Sequence, residues 1–248
     1  WRPYWSPARP AAPSAASKKL MATARKRFNR ASDAAALWDS IAAYHKVIAV
    51  DPGNCEALCL LGNQYVLAGT AYTRGRWQKK KYFRLGARYC ELAMYTNPAF
   101  RQAVQAGKTP WEAADTLTAR EAPAMLFWVM AVQYEFKECM FSPEQIANVG
   151  WMRHCLKFLK RITAVAPDFG GGAVEFSTAI CYLALPGIRG GDRDLAEDYM
   201  IAATRDRADW LFGRWARGKY YNKIRRDRRG VEEDLKWVAT RDLSGFKD

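Results

Sequence analysis

Two histidines and six cysteines are the residues of this chain best suited to metal binding or nucleophilic catalysis: His45, His154, Cys55, Cys59, Cys90, Cys139, Cys155 and Cys181. A zinc site gathers three or four such ligands, and in sequence it shows as Cys-x-x-Cys or His-x-x-x-His pairs. Neither pattern occurs. Cys55 and Cys59 are four apart and share a helical face, but no further Cys or His lies close by in sequence. No metal is expected. His154 and Cys155 are neighbours, and consecutive helical residues point about 100° apart, so the imidazole cannot activate the adjacent thiol. The cysteines fall mostly within apolar helical patterns and read as small core residues. No catalytic residue and no cofactor is expected, and the chain reads as a non-enzyme.

Gly170-Gly171-Gly172 precedes a helical pattern and offers backbone N–H groups that could hold an anion. The Lys-Ser/Thr of a phosphate loop does not follow it, so a tight interhelix turn is the expectation. Asp192, after Gly190-Gly191, reads as the N-cap of the next helix, and Pro186-Gly187 as the end of the previous one.

Charge supplies the next signal. Lys and Arg number 39 against 25 Asp and Glu, a formal charge of +14, so long-range attraction to an anionic partner is expected. The segment Arg74-Gly-Arg-Trp-Gln-Lys-Lys-Lys81 is densely basic. Arg74, Arg76, Lys79, Lys80 and Lys81 are the expected docking residues for an acidic protein partner. The run from Lys223 to Arg229 resembles a nucleic-acid footprint in charge alone, and without a recognised motif nucleic acid is not an expected partner. In Trp151–Val165 the apolar Trp151, Cys155, Phe158, Leu159 and Ile162 oppose Arg153, Lys157, Lys160 and Arg161, which reads as a buried face and a solvated face. The longest apolar run, Ala124 to Val132, falls far short of the roughly 18 residues of a membrane span.

The elements that position these residues are helical. Residues 1–30 read as a Pro/Ala-rich tail and lead-in, with Pro3, Pro7, Pro10 and Pro13 in its first half. From Lys18 onward apolar residues recur at helical spacing, and no stretch alternates with period two. The fold class is therefore all-α. Leu58-x-x-Leu61-Gly62-x-x-Tyr65 fits the first helix of a tetratricopeptide repeat, in which a small residue lets the partner helix approach. The partner runs through Tyr82, Gly86, Cys90 and Ala93 and stops at Asn97-Pro98, with Gly86 or Ala93 as the second small residue of the crossing. The register repeats upstream at Ser40, Tyr44 and Val47 before Asp51-Pro52. It returns as Phe127-x-x-Met130-Ala131-x-x-Tyr134 with Cys155, Leu159 and Ile162, and again as Ala173–Leu185 with Ala196, Met200 and Ala203. Residues 31–248 are thus expected to form a solenoid of helical hairpins with insertions between repeats, one spanning Ala99 to Pro123. A last hairpin, near 210–221 and 231–240, would cap it.

These features together resemble the T component of tripartite ATP-independent periplasmic (TRAP) transporters, the TatT family. The stretches that carry the resemblance are Asp51-Pro-Gly-Asn54 leading into Leu58–Tyr65, Tyr82–Tyr89, Ala122–Val129, Pro167–Ala173 and Leu185–Asp192. They span about Ala34 to Thr204. The resemblance implies a periplasmic accessory protein that binds the transporter's solute-binding P subunit and passes it a small ligand through a pore or groove. Peripheral membrane association would come from an anchor outside this chain, and a homo-oligomer is compatible with it. In a tetratricopeptide stack the first helix of each pair lines the concave face. By that register the ligand groove would be lined by Asn63 and Val66, by Trp128, Val132 and Glu135, and by Phe176 and Tyr182. That set is mostly apolar with a few polar groups, as small-molecule pockets are. The same aromatics also fit a plain core. The alternative function is a tetratricopeptide-type scaffold for protein–protein contacts, or a subunit of a larger membrane-associated complex.

Overall fold

The computed structural model describes residues 15–204 and 211–241, and every regular element among them is helical. The all-α class follows from the apolar spacing, and the helix starts follow from local chemistry. Asp33 and Asn54 cap the helices Ala34–Val50 (α2) and Cys55–Ala71 (α3), their side chains accepting from Ala36 N at 2.8 Å and Ala57 N at 3.0 Å. An N-cap oxygen satisfies a donor the first turn leaves without a partner. The proline-rich residues 1–14 lie outside the described residues. In the lead-in, where helical spacing starts at Lys18, the helix begins three residues earlier (α1, Ala15–Phe28) and packs on α2. Met21 and Ala24 are buried there, and Ser17 donates to Asp51 at 3.0 Å.

The chain divides into two compact units, 1–167 and 168–248. In the first unit, α3 pairs with Arg76–Tyr95 (α4), and both pack on Ala122–Tyr134 (α6), which packs in turn on Trp151–Val165 (α8). Between α4 and α6 the supposed insertion is itself ordered. Thr96 closes α4, and Asn97 caps Pro98–Gln105 (α5), its side chain accepting from Ala99 N and Phe100 N. Pro98 at the first position suits this start, because its missing N–H would find no helical acceptor there. Thr118 and the buried Glu121 form a capping box before α6, and Glu121 also accepts from Asn97 at 3.1 Å. A π-helical turn, residues 135–139, extends α6 and leads to the short helix Ser142–Asn148 (α7).

Where α3 crosses α4, glycine faces glycine. A Cβ on Gly62 would stand 2.4 Å from Cys90 Sγ and 3.0 Å from the Gly86 carbonyl, and a Cβ on Gly86 would meet Gly62 O at 3.0 Å. Of the two candidates for the second small residue, Gly86 is the one at the crossing. Gly62→Ala is expected to destabilise the first unit by about 1–3 kcal/mol, because overpacking forces a backbone shift. The urea midpoint of the purified variant against the parent measures it, and an unchanged midpoint would show that α3 and α4 can part without cost.

In the second unit Ala173–Ala184 (α9) pairs with Arg193–Thr204 (α10), and Leu211–Ala216 (α11) with Arg228–Ala239 (α13). A π-helical turn and a single turn, Lys223–Arg225 (α12), join that second pair. Gly170, Gly171 and Gly172 all have positive φ, at 90°, 55° and 97°, a conformation that glycine adopts without penalty. Asp192 caps α10, its carboxylate accepting from Asp194 N at 3.0 Å and Leu195 N at 2.9 Å. Residues 205–210 are not described, and the capping hairpin expected from the sequence falls partly on them.

Candidate functional site

A cleft of about 430 Å³ opens in the first unit between α4, α6, the π-helical turn, α7 and α8. Its wall is apolar: Trp128 and Val132 from α6, Phe136 from the turn, Met140 just after it, and Trp151 from the start of α8. Trp128 sits edge-on to Phe158 at 4.9 Å and tilted to Trp151 at 6.2 Å, so the wall is a packed aromatic cluster. One side is charged, with Arg84, Arg88 and Glu91 from α4 facing Glu135.

These charges are organised by long-range pairs. Glu91 is 5% exposed and accepts from the Trp128 indole N–H at 3.0 Å, with Arg88 at 3.4 Å from its other oxygen. Trp128 is 1% exposed, and a buried indole donor needs such an acceptor. Arg84 bonds Glu135 at 3.0 Å across the cleft. The site therefore offers aromatic side chains next to two guanidiniums, each paired with a carboxylate.

Of the seven groove residues expected from the repeat register, Trp128, Val132 and Glu135 come together in this cleft. Asn63 and Val66 do not line it. Asn63 is half-buried on α3, and Val66 is 1% exposed and packs where a Cβ on Gly86 would touch its Cγ2 at 3.0 Å. Phe176 and Tyr182 belong to α9 in the second unit, Phe176 buried and Tyr182 stacked on Tyr199 at 5.9 Å. Sequence reasoning missed Arg84, Arg88 and Glu91. They fall at positions i, i+4 and i+7 of α4, so one helical face carries all three, but α4 was read only as the packing partner of α3. Phe136 and Met140 had no signal, because a π-helical turn shifts the register of a helix by one residue.

The expected docking residues separate by role. Arg76 donates to Cys139 O at 2.6 Å and to Glu144 at 2.8 Å, and Lys79 pairs with Glu138, so these two brace α4 against the turn and α7. Arg74 and Lys81 are exposed and Lys80 is half-buried, and Lys80 and Lys81 line a shallow hollow with Trp77, Arg84, Leu85 and Arg88. The candidate nucleophiles are muted. Burial pushes the Cys59 and Cys90 thiols far above the usual range and Cys139 up to about 11. All six cysteines are buried and unbridged. No group of three or more metal-ligating side chains occurs among the described residues. His45 lies 3.0 Å from Tyr65 Oη within a cluster of Tyr65, Tyr89 and neighbouring rings, and His154 stacks on Trp111 at 4.0 Å. Desolvation lowers both histidine pKa values, which favours neutral imidazoles.

This geometry defines an all-helical protein with an aromatic, arginine-edged cleft. No family model matches the chain, and no curated protein matches it in sequence. No described helix is long and apolar enough to cross a membrane.

Proposed function

We propose that this chain is a non-enzymatic, tetratricopeptide-like helical binding protein whose cleft takes a small solute with an aromatic or branched aliphatic body and a carboxylate. The observation that carries this reading is the wall of Trp128, Trp151, Phe136, Val132 and Met140 set beside Arg84 and Arg88. The apolar wall supplies affinity, and the guanidiniums orient the anionic end. Arg84 is 65% exposed, and partly exposed ion pairs are worth about 0–1 kcal/mol, so a ligand carboxylate can displace Glu135 from it at little cost.

The role proposed for that cleft is the one the family resemblance implies: a periplasmic accessory protein of a TRAP-type uptake system that binds the solute-binding subunit and transfers the solute to it. The alternative is a helical scaffold that assembles a different complex. Affinity capture of the tagged chain from its own cells, with mass spectrometry of co-purifying proteins and of small molecules released on denaturation, separates them. Recovery of a solute-binding subunit together with a carboxylate solute is expected. Val132→Trp, which fills the cleft, should abolish the solute and leave the protein partner in place. Recovery of another complex with no transporter component would move the chain to the scaffold reading.

A further inference from the structure

The most exposed large apolar side chains described in the first unit are Trp77 at 74%, Ile146 at 73% and Phe141 at 65%. Scattered single exposures are ordinary, but Trp77 and Phe141 flank one guanidinium, and Ile146 is carried by the short helix that this guanidinium holds. The Arg76 guanidinium lies 3.5 Å over the Phe141 ring and 5.4 Å from the Trp77 ring. Its ion pair with Glu144 clasps α7, the short helix that carries Ile146.

The charge at this corner is one-sided. Its acids, Glu138 and Glu144, are taken up by Lys79 and Arg76. Lys80 and Lys81 form no ion pair among the described residues, and Lys80 Nζ is 5.8 Å from the Trp77 ring. Trp77, Lys80, Lys81 and Arg84 recur at helical spacing and line the same shallow hollow on α4. The basic charge therefore surrounds strongly exposed apolar side chains at an open, shallow hollow. Protruding tryptophan and phenylalanine beside lysines match the chemistry of a lipid headgroup region, where rings enter the interface and ammonium groups meet phosphates.

We propose that this corner docks the first unit on an anionic membrane surface, with Trp77, Phe141 and Ile146 entering the interface and Lys80 and Lys81 on the phosphates. The inference is independent of what the cleft binds. Its test is sedimentation of the full chain with vesicles of phosphatidylcholine, with and without phosphatidylglycerol. The chain is expected to sediment with the anionic vesicles and not with the neutral ones, and to be released as salt rises. Lys80→Glu with Lys81→Glu should lower the partition coefficient about twentyfold or more, since each lysine near an anionic surface contributes about fivefold. Trp77→Ser combined with Phe141→Ser and Ile146→Ser should also abolish sedimentation, with an unchanged circular dichroism melt as the control for folding. Should that triple variant melt early, Trp77→Ser alone gives the same reading at smaller amplitude. No sedimentation with anionic vesicles at low salt would overturn the proposal, as would equal sedimentation of parent and variants. Retention on immobilised polyglutamate or on an RNA oligonucleotide, lost in Lys80→Glu/Lys81→Glu and without vesicle binding, would assign the corner to an acidic macromolecule and also overturn it.

Discussion

Asp234→Ala is expected to destabilise the second unit by about 3–5 kcal/mol, the range for removing one partner of a buried charge network. Asp234 is 0% exposed and is the acceptor for three neighbours. Arg217 donates to both of its oxygens, at 2.7 and 2.5 Å, and Arg214 and Asn222 each donate at 3.0 Å. Gly218 makes room for it, since a Cβ there would stand 3.1 Å from Asp234 Cβ. Without the carboxylate, two guanidiniums and an amide lose their shared acceptor between α11, the π-helical turn and α13. Because the chain has two units, the change is best read by hydrogen exchange of the α13 amides alongside urea unfolding. Asp234→Asn keeps the shape and part of the acceptor capacity, and it should cost less. A loss below about 1 kcal/mol for the alanine variant would show that Arg214 and Arg217, both partly exposed, recover their hydration fully.

Trp128→Ala should cost the first unit about 3–5 kcal/mol, the range for truncating a large buried aromatic. Two effects contribute, and a second variant separates them. Trp128→Phe keeps most of the ring contacts with Trp111, Trp151 and Phe158 but removes the indole donor to Glu91. The buried Glu91 carboxylate then loses its indole donor, and about 1–3 kcal/mol of the total is expected from that loss. Thermal melts of both variants measure the division. If the phenylalanine variant melts with the parent, the Glu91 bond contributes nothing net, and the cleft's charged edge is independent of its aromatic wall. In solute binding, Trp128→Ala should weaken affinity even at temperatures where the variant is folded, since the ring is part of the cleft lining.

Much of the local architecture was legible because it depends on neighbours a few residues apart. The Leu58, Leu61, Gly62 and Tyr65 spacing marked α3, and the Gly62–Gly86 crossing follows from the absence of a side chain at both positions. Asp192 as a cap and the glycine-only turn at 170–172 are decided within a few residues of chain. The site was only half legible. Trp128, Val132 and Glu135 follow from the helical register of α6 and its continuation, whereas of the α3 pair given by the same register Asn63 does not line the cleft and Val66 packs against Gly86 of α4. Trp151 was recognised as apolar surface of α8 but not as cleft lining.

The cluster Arg74 to Lys81 shows the limit most clearly. Its charge is read directly from the sequence, yet whether a given cation meets solvent or an acid depends on residues more than fifty positions away. Arg76 finds Glu144, Lys79 finds Glu138, and Arg84 finds Glu135. The sequence by itself determined that the chain is helical, that α3 carries a small residue where its partner approaches, and that Asp192 opens α10, because hydrogen bonding and sterics over three or four residues suffice for these. Only the tertiary structure decided which aromatics enclose a cleft, which cations are braced and which face solvent, and that Asp234 is a buried hub. Those properties belong to packing between distant segments, where periodicity says which face is buried but not what lies against it.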